Sequence, residues 1–136
     1  MLKTNSKKAK ENITNYILED IDYIQERAEY DAIEINENEP EKVLAYVYKA
    51  FLEEYGWAVT KCRQSYQEAF SNWAAGLAMG GMFLYYYNID AVELLGDLLE
   101  ETETEKARYN QEKAENTLTY LIYRECEKAY RREQTK

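Results

Sequence analysis

Histidine is missing from all 136 residues. With it go the commonest general base, the usual activator of a Ser or Cys nucleophile and the commonest zinc ligand. Proline occurs once and glycine five times, too little punctuation for the many turns of an all-β fold. The two cysteines, Cys62 and Cys126, form neither a metal-ligand spacing nor a disulfide framework. Gly76 with Gly80 and Gly81 lacks the lysine and the preceding strand of a phosphate-binding P-loop. No apolar run approaches the roughly 20 residues of a membrane span. Lys3, Lys7, Lys8 and Lys10 are followed by polar residues where a signal peptide needs an apolar stretch. These absences lead us to expect a cytoplasmic protein of bacterial or viral origin with reduced thiols. They also predict no catalytic residues, no cofactor and no metal site. Carboxylates alone can serve glycosidases or magnesium enzymes, but inside concave pockets that a small helical bundle seldom offers.

What is present favours helix. Hydrophobic residues make up 46% of the chain, enough for one core, and Ala, Glu, Leu and Lys are abundant. Ile13, Ile17, Ile21, Ile24 and Ala28 recur at intervals of three and four and predict one buried helical face. Residues 1–6 read as a mobile polar arm, with Asn5 or Ser6 as cap. Residues 30–39 read as a loop that Ile33 and Ile35 pin to the body. Pro40 opens a second helix through Val43, Leu44, Val47, Tyr48, Phe51 and Tyr55, with Gly56 as its stop. A third spans about 58–75, and the Ser65/Glu68 spacing allows a start there. Met82 to Tyr87 is the one run that suits an extended strand, read here as a connector or short helix. Asn88 or Asp90 caps a fourth helix carrying Val92, Leu94, Leu95, Leu98 and Leu99. Residues 101–109 form a charged join, and Asn110 caps a last helix to about residue 132. Leu118 to Tyr123 is apolar nearly all round, which predicts that this helix is central. The expected fold is all-α: a single domain over 1–136, a bundle of four to five helices.

The charge is −9 and unevenly distributed. Residues 11–40 hold ten acids against Arg27, and residues 90–105 hold seven acids and no base. Glu19, Asp22, Glu26 and Glu29 fall opposite the isoleucines; Asp90, Glu93, Asp97 and Glu100 fall opposite the leucines. Such a chain is repelled by phosphate, so direct nucleic-acid binding is not expected. The acidic faces are instead expected to meet a protein partner, or simply water. Fourteen tyrosines stand in the chain. Tyr85, Tyr86 and Tyr87 cannot all point inward, and an exposed tyrosine suits an interface anchor. Glu125 falls on the apolar stripe of the last helix and is expected to pair with Arg63 or Arg108. The run Glu101 to Glu105 lacks the glycine turn of a calcium loop and reads as a solvated helix end.

Several patches resemble small uncharacterised proteins carried by phages and conjugative elements of gut-type bacteria. They are Glu54-Tyr-Gly-Trp57, Phe70-Ser-Asn-Trp73-Ala-Ala-Gly-Leu77, Lys3 to Lys8, Leu94 to Glu103 and Leu118 to Glu125. Where that family commonly continues Gly-Leu with Pro-Ser, this chain has Ala78-Met79. The resemblance implies an anti-defence setting: an anti-CRISPR-like inhibitor that binds a bacterial nuclease effector at its nucleic-acid channel as a DNA mimic. The rival expectation is a structural or regulatory adaptor of a mobile element, acting by protein–protein contact as a monomer or a homodimer.

Overall fold

A computed structural model describes residues 7–75 and 90–135. The expected mobile arm at 1–6, its caps, the cap at Asn88 and the reading of Met82 to Tyr87 lie outside these residues. The described chain is all-helical, in the order α1 (Lys7–Leu18), α2 (Ile21–Tyr30), α3 (Pro40–Thr60), α4 (Tyr66–Ala75), α5 (Ala91–Leu99), α6 (Glu103–Lys106) and α7 (Gln111–Gln134). No strand occurs among the described residues.

The two longest helices share the largest interface. α3 also packs against α1, α2 and α4, and α7 against α1, α4 and α5. Their seam is aromatic. The Tyr48 ring lies 5.4 Å from Phe51, 5.9 Å from Tyr123 and 5.2 Å from Tyr130. Phe51 meets Phe70 edge-on, and Trp73 completes the cluster from α4 at 5.8 Å from Phe51. Phe51, Phe70 and Trp73 are fully buried, each worth about 1.5–3 kcal/mol over an exposed ring. The stretch Leu118 to Tyr123 is buried except at Tyr120.

The local differences from expectation have local causes. The isoleucine face is one stripe on two helices: α1 stops at Leu18, and the backbone turns through Glu19 and Asp20. Ile17 and Ile24 both stay at 0% exposure, because the turn preserves their phase. Gly56 does not stop α3, which runs on to Thr60. A helix tolerates one internal glycine at a cost of about 1 kcal/mol. The join at 101–109 contains a helical turn, α6, closed by a reciprocal capping box between Thr102 and Glu105. Caps at Ser65, Asp90 and Asn110 each accept the backbone N–H three residues on. Among the described residues no helix is long and apolar enough to cross a membrane.

Candidate functional site

The two acidic stripes have different fates. On α5, Asp90 caps the helix by accepting the Glu93 N–H at 3.1 Å. Glu93 pairs with Lys106 at 3.0 Å, and Lys106 also reaches Glu103 at 3.2 Å. The Lys106 stem crosses Gly96 so closely that a Cβ there would stand 2.4 Å from its Cε, so the glycine admits the lysine. Glu100 lies beyond the helix in the left-handed conformation, φ 55°, and accepts from Asn12 Nδ2 at 3.3 Å. Asp97 is exposed and, among the described residues, makes no side-chain hydrogen bond or ion pair. The α5 stripe therefore divides between carboxylates held within the fold and Asp97. A helix start draws a carboxylate to its bare N–H groups, and a lysine from the next turn draws another.

On α2 the acids keep their freedom. Asp22, Glu26 and Glu29 are exposed and make no ion pair among the described residues. Tyr23 and Tyr30 stand among them at 61% and 81% exposure. At 100° per residue these five side chains fall within an arc of roughly 120°. The face is acidic and aromatic at once. Glu19 is exposed at the turn before α2 and belongs to neither helix. It lines a groove of about 540 Å3 between α1 and α5, with Lys8, Asn12, Asp97 and Glu100. One member of the first stripe thus joins two of the second, while Asp90 and Glu93 are held apart by their caps and pairs. Tyr85, Tyr86 and Tyr87 lie outside the described residues.

A polar tie fixes α2 in place. Arg27 pairs with Glu54 on α3, and Glu54 also accepts from Trp73 Nε1 on α4 at 3.2 Å. Asp31 stands 3.7 Å from Arg27 and accepts the Tyr46 hydroxyl at 2.6 Å. Burial and this bond to Asp31 push the Tyr46 hydroxyl well above its ordinary range. The lone base in an acidic stretch is therefore a tether. Just before α2, Asp20 Oδ2 is buried without a hydrogen-bond partner. Desolvation, with the Glu19 charge second, raises its carboxyl from 3.8 to about 6.

Glu125 is 6% exposed, on the apolar stripe. Its partner is Lys128 at 3.9 Å, and not Arg63 or Arg108. Arg63 is exposed in the α3–α4 turn, and Arg108 lies 3.8 Å from Glu101. Glu101 corrects the reading of 101–105 as fully solvated, since its side chain is 1% exposed. Cys126 is buried and Cys62 exposed; burial, with the Glu125 charge second, pushes the Cys126 thiol far up. No group of three His, Cys, Asp or Glu suited to a metal ion occurs among the described residues.

Sequence reasoning missed Tyr23 and Tyr30. Their signal was available: seven residues apart and out of phase with the isoleucines, they had to share the acids' side of the helix. Comparison of the chain with protein-family models, with curated proteins and with solved structures finds no match.

Proposed function

We propose that this chain works by binding, and that the acidic, aromatic face of α2 is laid on a basic protein surface. The partner proposed is a bacterial nuclease effector, whose positively charged nucleic-acid channel the face obstructs in an anti-defence role. One observation carries the reading: Asp22, Glu26 and Glu29 are exposed and make no ion pair among the described residues, with Tyr23 and Tyr30 exposed beside them. Carboxylates without internal partners steer a basic surface at long range, and tyrosines supply the short-range anchor. Arg27 ties the face to α3 through Glu54, which lowers the ordering cost of the encounter.

The test compares capture from a lysate of a defence-competent bacterium by the wild type and by a variant with Asp22, Glu26 and Glu29 all changed to Lys. A nuclease retained by the first and lost with the second, and unable to bind its nucleic acid when captured, is the expected result. A nuclease that still cuts and binds nucleic acid in the complex would refute inhibition at the channel. The rival adaptor reading has its own observation, Lys61 and Arg63 exposed beside Trp57 and Tyr66 where α3 turns into α4.

A further inference from the structure

Residues 55–67, from Tyr55 to Gln67, carry Lys61 and Arg63 and no acid, between Glu54 and Glu68. This segment forms the corner between α3 and α4. Among the described residues neither Lys61 nor Arg63 enters an ion pair, whereas Lys42 and Lys49 on α3 and Arg131 and Arg132 on α7 each meet a carboxylate. Two large rings stand exposed beside them, Trp57 at 50% and Tyr66 at 42%. The corner is held in shape. Trp57 Nε1 donates to the Glu54 carbonyl at 2.9 Å, and the Trp57 ring packs 5.7 Å from Tyr55. The Cys62 and Gln64 N–H groups both donate to the Ala58 carbonyl, at 3.2 and 3.1 Å. Arg63 takes φ 58°, a backbone conformation costly for a side chain of its size.

This patch complements the α2 face in kind: two free cations and two rings against three free carboxylates and two rings. It also lies near that face on the same molecule. Arg27 meets Glu54, while Asp31, four residues on, meets Tyr46, eight residues back. α2 therefore runs antiparallel to α3, and its Asp22–Tyr23 end points toward the Trp57–Lys61 end.

We infer that a second copy of this chain docks here, the α2 face of each protomer against the α3–α4 corner of the other about a two-fold axis. A two-fold interface needs a surface that contains both halves of a complementary pair, and these two neighbouring patches meet that requirement. The −9 charge of each copy opposes the approach, but screening over about 8 Å at physiological salt confines the repulsion to near neighbours. The pair is weak, with a dissociation constant on the order of 10–100 μM. Because it covers the α2 face, the dimer and the proposed partner complex exclude one another. The inference shares that face with the partner reading but does not require the partner.

Sedimentation velocity of the full chain over about 5–500 μM, a range that brackets such a constant, tests the pairing. The wild type is expected to pass from a 16.1 kDa species to twice that mass, and to return to monomer at high salt. Changing Lys61 and Arg63 to Glu makes corner and face both acidic; changing Asp22, Glu26 and Glu29 to Lys makes both basic. Each variant alone is expected to stay monomeric, with an unchanged circular dichroism spectrum. An equimolar mixture of the two restores both attractions and is expected to form a heterodimer. Cys62, the exposed thiol of the pair, lies within the corner. Its reaction with a thiol reagent should slow several-fold as the wild type associates. A wild type that stays monomeric, a corner variant that still dimerises, or a mixture that fails to pair each overturns the proposal. So does protection of Cys62 by a single-stranded oligonucleotide while the chain stays monomeric, which would make the corner a nucleic-acid site. Retention of the nuclease is read at nanomolar concentration, where the chain is monomeric, so either proposal can fail without the other.

Discussion

Helices α2 and α5 look alike as sequence: short, acidic on one side and apolar on the other. In the structure their acids do different things. Asp90, Glu93 and Glu100 cap a helix, hold Lys106 and accept from Asn12, whereas Asp22, Glu26 and Glu29 of α2 make no side-chain hydrogen bond or ion pair among the described residues. The difference follows from what surrounds each helix. α5 is followed at once by a turn that brings Lys106 across Gly96, while α2 faces solvent on the side away from α3. An acidic stripe is therefore evidence of an outward role only where no helix start, lysine or amide claims its oxygens.

The largest expected effect is on the tether that lets α2 hold that face outward. Glu54→Gln should destabilise the fold by about 2–3 kcal/mol in chemical denaturation, and Arg27→Ala by a similar amount. The value sits below the 3–5 kcal/mol of fully buried pairs because these side chains are 20% and 31% exposed. If Glu54→Gln matches the wild type, α2 is held by its isoleucines alone and the face it presents is not fixed.

A smaller effect tests the turn at the start of α2. Raised from 3.8 to about 6, the Asp20 carboxyl favours folding most below pH 4, and that contribution is lost as pH rises through 6. A shift of this size corresponds to about 3 kcal/mol, which partial exposure to water reduces to roughly 1–2 kcal/mol. Asp20→Asn should therefore be the more stable protein at pH 7.5 by that amount, with the difference vanishing near pH 4. An unchanged difference across the range would show that the carboxylate is already satisfied by water.

How far the sequence reached depends on which physical signal carries each feature. The buried stripe of Ile13, Ile17, Ile24 and Ala28, the burial of Phe70 and Trp73, and the caps at Asp90 and Asn110 follow from periodicity and local chemistry. All are legible in the chain. The break at Glu19 is not, because a turn that preserves phase leaves the apolar spacing intact. The partner of Glu125 was misjudged for a related reason. Arg63 and Arg108 are attractive by charge, but only the fold shows that one sits in an exposed turn and the other beside Glu101. The α2 face was half legible: its acids were read from spacing, while Tyr23 and Tyr30 were passed over in favour of Tyr85 to Tyr87.

Next in size is the cap on α5. Asp90→Ala removes the acceptor of the Glu93 N–H and should cost about 1 kcal/mol, while Asp90→Asn, which can still accept, should cost a fraction of that. Equal losses from both would show that Asp90 acts through its charge on the helix dipole and not as the acceptor of the Glu93 N–H.

The smallest expected effect is the sharpest form of the comparison. Changing Asp22, Glu26 and Glu29 together to Asn, Gln and Gln should leave the stability of the isolated protein within about 0.5 kcal/mol of the wild type. Two small terms oppose each other here. Asp22 lies in the first turn of α2, where a negative charge meets the positive end of the helix dipole, so its loss is slightly unfavourable. Glu29 lies in the last turn, where a negative charge is misplaced, so its loss is slightly favourable. Removing three charges from a chain at −9 also relieves self-repulsion, which again leans toward stability. Urea denaturation at low and at physiological salt tests this account, since all three contributions shrink as the ionic strength rises. A loss above 1 kcal/mol would mean that the acids have internal partners after all, and α2 would then be another α5. A flat result leaves three carboxylates whose removal the fold does not register, and makes this variant the clean reagent for asking what outside the protein does.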